Sequence, residues 1–248
     1  MADSGGADGM PTQKRNVSEF NADVKENLGY RYTTNARYSS IVANRRMTEA
    51  TVAAIPADAR SIIDIGCGDG TYAHDLKIRF PNVAFTGFDP AVEAIGIAKR
   101  KFPEVEYVMG DLLNPETFPK RKFDVAIMRG VIHHLPDAEA GITNAIRLSD
   151  RVILIEPNGN NPILKWLERN SHYHLEHEEQ SYSSRQLLEW CERTGYVVTK
   201  IDFIGFVPFF FPTIPAIIIH FFQPWLEKIS PLKKYFGAQI VIVFEKVK

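Results

Sequence analysis

From Ser61 onward, short apolar runs alternate with amphipathic stretches. The runs are Ile62–Ile65, Val83–Phe88, Val105–Met109, Phe123–Met128 and Val152–Ile155. Between them the patterns over Tyr72–Phe80, Val92–Phe102 and Ala138–Leu148 have the spacing of helices with one apolar face. Strands separated by helices of this length predict βαβ units, hence a parallel sheet with helices on both faces. A further helix is expected over Ser184–Arg193, with Gly195 just past its end, followed by strands at Tyr196–Phe203 and Gln239–Phe244.

Outside this rhythm the chain reads differently. Residues 1–15 are small, polar and glycine-rich, the composition of a tail without a core. The pattern over Val17–Ile55 is helical, interrupted near Tyr30–Asn35 and closed by Pro56. Two segments, 157–182 and 204–237, are longer than connections need to be, which suggests that they carry function. The expected organisation is a tail at 1–15 and a single domain over 16–248, with an N-terminal helical lid at 16–56 and the two insertions on the substrate side.

One stretch, Phe203–Phe222, runs twenty residues without a formal charge, long enough for a membrane span. Pro208, Pro212 and Pro215 would each remove a helical hydrogen bond, and a strand pattern returns afterwards, so a spanning helix is not expected. Composition adds exclusions. With 45% hydrophobic residues, 24% charged residues and a net charge of -1, there is no basic field to hold nucleic acid. Cys67 and Cys191 are the only cysteines and no basic-then-apolar leader opens the chain, so a cytoplasmic protein without disulfides is expected.

Candidate chemistry begins where the first run ends, in Asp64-Ile-Gly-Cys-Gly-Asp-Gly70, with Thr71 opening the next helix. Glycines there let the backbone turn sharply and approach a ligand at a helix N-terminus. A dinucleotide fingerprint would need its third glycine at position 71, where this chain has Thr. The next run ends in Asp89, placed to accept hydrogen bonds from ribose hydroxyls, and the third is followed by Gly110-Asp111-Leu112, a carboxylate and an apolar side chain suited to a purine.

Together with Phe123-Asp-Val-Ala-Ile-Met-Arg-Gly-Val-Ile-His-His-Leu135, these motifs resemble the class I S-adenosylmethionine (SAM)-dependent methyltransferases, in particular the small-molecule group that includes ubiquinone and menaquinone biosynthesis enzymes. The resemblance covers about Ser61–Glu156. It implies a Rossmann-like seven-stranded α/β fold, a mostly parallel sheet with an antiparallel last strand, and SAM as cofactor with S-adenosylhomocysteine as product. It further implies that Gly66, Gly68 and Gly70, with Cys67 among them, line the methionine part, and that Asp64 orients its amino group. Asp89, followed by Pro90, would take the ribose, and Asp111 and Leu112 the adenine. Arg129 and Gly130 would lie beside the sulfonium through their backbone, and Tyr32, with Tyr30 nearby, would reach it from the lid.

Methyl transfer is an in-line displacement in which alignment in a dry pocket does most of the catalysis; a hydroxyl or carbon acceptor also needs a base. His133 is one candidate, reading equally as packing, while His134 beside it reads more readily as packing or a cap than as a base. His177, in the run His172-Tyr-His174-Leu-Glu-His177-Glu178, is the other; the run also reads as solvated surface, and since its spacing matches no zinc motif no metal is assigned. Phe206, Phe209, Phe210, Phe211, Phe221, Phe222 and Trp225 read first as an apolar substrate roof, then as a contact between two subunits, then as a peripheral membrane contact within 203–236 with Lys228, Lys233 and Lys234 nearby. The expected activity is methylation of an oxygen or carbon of a small hydrophobic or aromatic metabolite by a monomer or homodimer. Rival readings are a catalytically silent SAM-fold scaffold and an NAD-dependent reductase. Nucleic-acid methylation is disfavoured because the fourth run ends in Arg129-Gly-Val-Ile rather than Asn/Asp-Pro-Pro-aromatic.

Overall fold

A computed structural model of the chain describes Thr33 and residues 36–170, 180–209 and 211–247. Seven strands form one sheet: β1 Ser61–Ile65, β2 Ala84–Asp89, β3 Glu106–Met109, β4 Val125–Arg129, β5 Arg151–Pro157, β6 Val197–Ile204 and β7 Gln239–Glu245, in the order β3-β2-β1-β4-β5-β7-β6. Strands β1 to β5 pair in parallel, and β7 runs antiparallel between β5 and β6. Six strands therefore point one way and the last in sequence points the other, as expected from the sequence.

Successive side chains of a strand face opposite sides, and the central strands are apolar on both. On one face Ile62, Val125, Ile127, Ile153, Ile155, Val241 and Val243 pack with α1 (Tyr38–Val52), α2 (Thr71–Arg79) and α3 (Val92–Lys101). On the other, Ile63, Ala126, Met128, Leu154 and Ile242 meet α4 (Ala138–Leu148) and, through Leu187 and Cys191, α6 (Ser184–Arg193). Caps fix these helices where the polar residues fall: Asp137 accepts from the Ala140 N–H and Ser183 from the Gln186 N–H.

The two segments that lacked a clear pattern contain helices. The first holds α5 (Pro162–Asn170), opened by a proline at its first position. The second holds α7 (Thr213–Leu226) and α8 (Ser230–Phe236). Two of the prolines weighed against a spanning helix begin this shorter one: Pro212 is the N-cap of α7 and Pro215 sits in its first turn, where no intrahelical acceptor exists for an N–H. Among the described residues no helix is long and apolar enough to cross a membrane.

Helix α7 lies on α1 and is held by polar contacts. The Tyr38 hydroxyl meets His220 Nδ1 at 2.6 Å, Arg46 pairs with Glu227 at 2.7 Å, and Glu227 and Gln223 accept from the backbone N–H groups of Gly205 and Phe206. Phe209 and Phe211 turn inward, against the main core and the α1–α7 contact respectively. Phe221, Phe222 and Trp225 point outward and do not form a roof over the interior.

Candidate active site

The carboxyl ends of β1, β2, β4 and β5 converge on one region. Behind β1 the chain turns through three glycines in the left-handed region, Gly66 (φ 73°), Gly68 (φ 54°) and Gly70 (φ 79°). Space is as restrictive as conformation: a Cβ on Gly66 would approach Val131 to 2.6 Å, and one on Gly70 would collide with the Tyr107 hydroxyl. The turn is stitched to β2 by the Gly66 N–H donating to the Phe88 carbonyl at 2.7 Å. Asp89, the last residue of β2, accepts from the Gly68 N–H at 2.9 Å and from the Ala91 N–H at 2.8 Å. Burial pushes its carboxyl up to about 6, with those two hydrogen bonds opposing.

Asp64 lies on the α1 face of β1. It is 5% exposed, and no hydrogen-bond donor among the described residues reaches its carboxylate. Burial pushes it up to about 7, partly offset by the Arg129 guanidinium. The Arg129 side chain turns toward α1. Its terminal nitrogens donate to the Thr48 hydroxyl and the Asn44 carbonyl, both at 3.0 Å, and its guanidinium sits 3.7 Å from the centre of the Tyr72 ring, so its side chain fastens α1 to the sheet. Asp69 ties Thr33, which precedes α1, to the turn, accepting from the Thr33 hydroxyl at 2.7 Å and the Thr71 N–H at 3.1 Å.

On the opposite side of the mouth, Gly130 (φ 67°) leads into a short 3-10 turn, Ile132–His134. Glu156, near the end of β5 and 1% exposed, organises it. One carboxylate oxygen accepts from the Val131 and Ile132 N–H groups at 2.8 and 2.9 Å, and the other lies 2.6 Å from His133 Nδ1. The Glu156 carboxylate thus holds the His133 ring and the turn that carries it together. His134 lies against His133, ring centroids 3.9 Å apart.

The remaining expected residues fall as follows. The Cys67 side chain points into the core beneath the turn, its thiol pushed up by burial. Pro90 is exposed directly after Asp89. Asp111 accepts from the Leu113 N–H at 2.8 Å, and the Leu112 side chain is buried in the core while Asn144 holds its carbonyl. Tyr32, Tyr30, Phe210, His172, His174 and His177 lie outside the described residues. Among the described residues no three His, Cys, Asp or Glu side chains gather to hold a metal ion. Glu156, Asn44, Thr48 and Tyr72 were not picked out from sequence; an acid closing an apolar strand was the available signal for Glu156.

These residues suit SAM. A buried acid with no hydrogen bond from the described residues, as Asp64 is, suits a cation, and the amino group of a methionine moiety is one. A methyltransferase-domain family model matches residues 35–201. A trans-aconitate 2-methyltransferase of Methylobacterium nodulans is 34% identical over 82 residues, 32% of this chain and 31% of that protein. A ubiquinone biosynthesis O-methyltransferase of the same organism is 28% identical over 171 residues, 62% of this chain and 65% of that protein. The chain thus spans less than two thirds of the length of these curated relatives. Among solved structures, geranyl diphosphate C-methyltransferase from Streptomyces coelicolor, in complex with magnesium, geranyl diphosphate and S-adenosylhomocysteine, superposes with a TM-score of 0.64 at 16% identity, covering 96% of this chain and 100% of that one. Magnesium protoporphyrin IX methyltransferase from Synechocystis, with bound S-adenosylhomocysteine, gives 0.59 at 17% identity over 84% and 85% of the chains. The family match, extending over most of the sheet and its glycine turn, makes this chain a member of the methyltransferase-domain family, with the class I fold.

Proposed function

We propose that this protein transfers a methyl group from SAM to an oxygen or carbon of a small hydrophobic or aromatic molecule. The observation that carries the cofactor reading is Asp64: a buried carboxyl, pushed up to about 7, beside a turn built from left-handed glycines, with no hydrogen bond from the described residues. SAM, when bound, supplies an electrophilic methyl on a sulfonium. Asp64 then receives the amino group, Asp89 offers its remaining lone pairs to the ribose while it holds the turn, and Asp111 lies at the next strand end for the adenine.

His133 is the base in this reading. Glu156 orients the ring through Nδ1, and the imidazole takes a proton from an acceptor hydroxyl or carbon acid as the new bond forms. Glu156 is a positioning residue, holding the ring and the turn that carries it together. The acceptor class rests on the names of two relatives, a ubiquinone biosynthesis O-methyltransferase and a geranyl diphosphate C-methyltransferase. Titration calorimetry with S-adenosylhomocysteine tests the cofactor reading, and no heat with it or SAM would overturn it. Methyl transfer from labelled SAM to quinol and phenol acceptors tests the activity; binding without transfer to any acceptor would favour a silent scaffold.

A further inference from the structure

Helix α7 is built inside out. Its polar side chains after the first turn, His220 and Gln223, face α1 and the β6 loop, where each is hydrogen-bonded. Its outward face is Ile214, Ile217, Ile218, Phe221, Phe222 and Trp225, with Ile214 74%, Phe221 65% and Trp225 55% exposed. A helix whose outer face met only water would carry polar residues there. The three rings form a contiguous aromatic group: Phe221 stands 5.1 Å from Phe222 and 5.6 Å from Trp225. Nothing among the described residues covers this face.

The charges at its end select the occupant. Between Thr213 and Phe236 there is one acid, Glu227, and it is bound to Arg46 on the inner side. Lys228 and Lys234 are exposed, and Lys233 is paired with Asp202. An apolar helix face bordered by unneutralised lysines complements acyl chains bordered by anionic headgroups. A two-fold dimer on the same face would bring in the same lysines and no acid to receive them. The helix has 14 residues, roughly 21 Å at its rise per residue, so it is too short for a hydrocarbon core of about 30 Å and suits lying along a surface.

We infer that the outer face of α7, with the lysines that follow it, docks this protein onto an anionic phospholipid bilayer. The face emerges from the carboxyl end of β6, the end of the sheet that also bears the glycine turn, so docking brings the site mouth near the lipid surface. The docking does not rest on the methyl-transfer reading, because binding is measured without turnover.

The test is sedimentation of the full chain with vesicles of phosphatidylcholine alone and of phosphatidylcholine with one third phosphatidylglycerol. The expected result is binding to the anionic vesicles that weakens with salt, with at least a tenfold loss of partitioning in the double variant Phe221→Glu, Trp225→Glu. A second pair, Lys228→Gln with Lys234→Gln, leaves the apolar face intact and is expected to lose the preference for anionic lipid. Circular dichroism melting checks that both pairs fold. Wild-type protein that stays in the supernatant, or binds both vesicles equally, overturns the inference. So does a dimer by light scattering that the Phe221/Trp225 variant dissolves while no vesicle binding occurs, since that assigns the face to a second copy.

Discussion

A carboxyl group taken out of water holds its proton, and Asp64 does so up to about pH 7. Two effects of opposite sign follow. In the ligand-free protein the raised acid favours the fold at low pH, and that contribution is lost as pH rises from the ordinary carboxylate range through about 7. Binding an ammonium needs the ionised form, so affinity for S-adenosylhomocysteine should fall roughly tenfold per pH unit below that value. Asp64→Asn should flatten this dependence, weaken binding about tenfold or more, and leave the ligand-free protein at least as stable at pH 8; calorimetry across pH and thermal melts check each arm. At His133 the prediction concerns the hold on the ring. Glu156→Gln places an amide donor or a weaker acceptor at Nδ1, so kcat should drop about a hundredfold while S-adenosylhomocysteine affinity stays within about twofold. An unchanged kcat would reduce the pair to structure.

At the scale of elements, the sheet and its helices from β1 to β5 were readable because burial imposes regular periods: two along strands packed on both faces, and three to four along helices packed on one. Asp64, the glycine turn and Asp89 were readable because they sit at ends of those periods. Glu156 was not, since its partners His133, Val131 and Ile132 lie more than twenty residues away and nothing local marks the pairing. The orientation of α7 was not legible for a related reason: its inner face is chosen by the partners of His220, Gln223 and Glu227 on other elements. Those partners make the helix testable. Arg46→Ala removes the guanidinium hydrogen bonds to the largely buried Glu227 carboxylate and should cost about 1–3 kcal/mol in denaturant unfolding. It should also speed protease cleavage between 205 and 237. Gly70→Ala forces a side chain into a left-handed position and against Tyr107, and should cost about 2 kcal/mol or more by the same measurement.

For the molecule as a whole, a ligand seated across three strand ends stabilises only the folded chain. S-adenosylhomocysteine at a hundred times its dissociation constant should add about 2.7 kcal/mol. For a chain of this size that corresponds to a rise of roughly 5–10 °C in Tm, read by scanning calorimetry. The order of the strands has a further consequence. β7 is inserted between β5 and β6, though it follows both in the chain. While the protein emerges from the ribosome, β5 and β6 therefore wait with unpaired backbone edges, and α7 waits with its aromatic face outward, until Gln239–Glu245 arrives to join them. A nascent chain halted before Gln239 has no route to a closed sheet, which makes the interval between synthesis of β6 and of β7 the period of greatest exposure to chaperones and to aggregation.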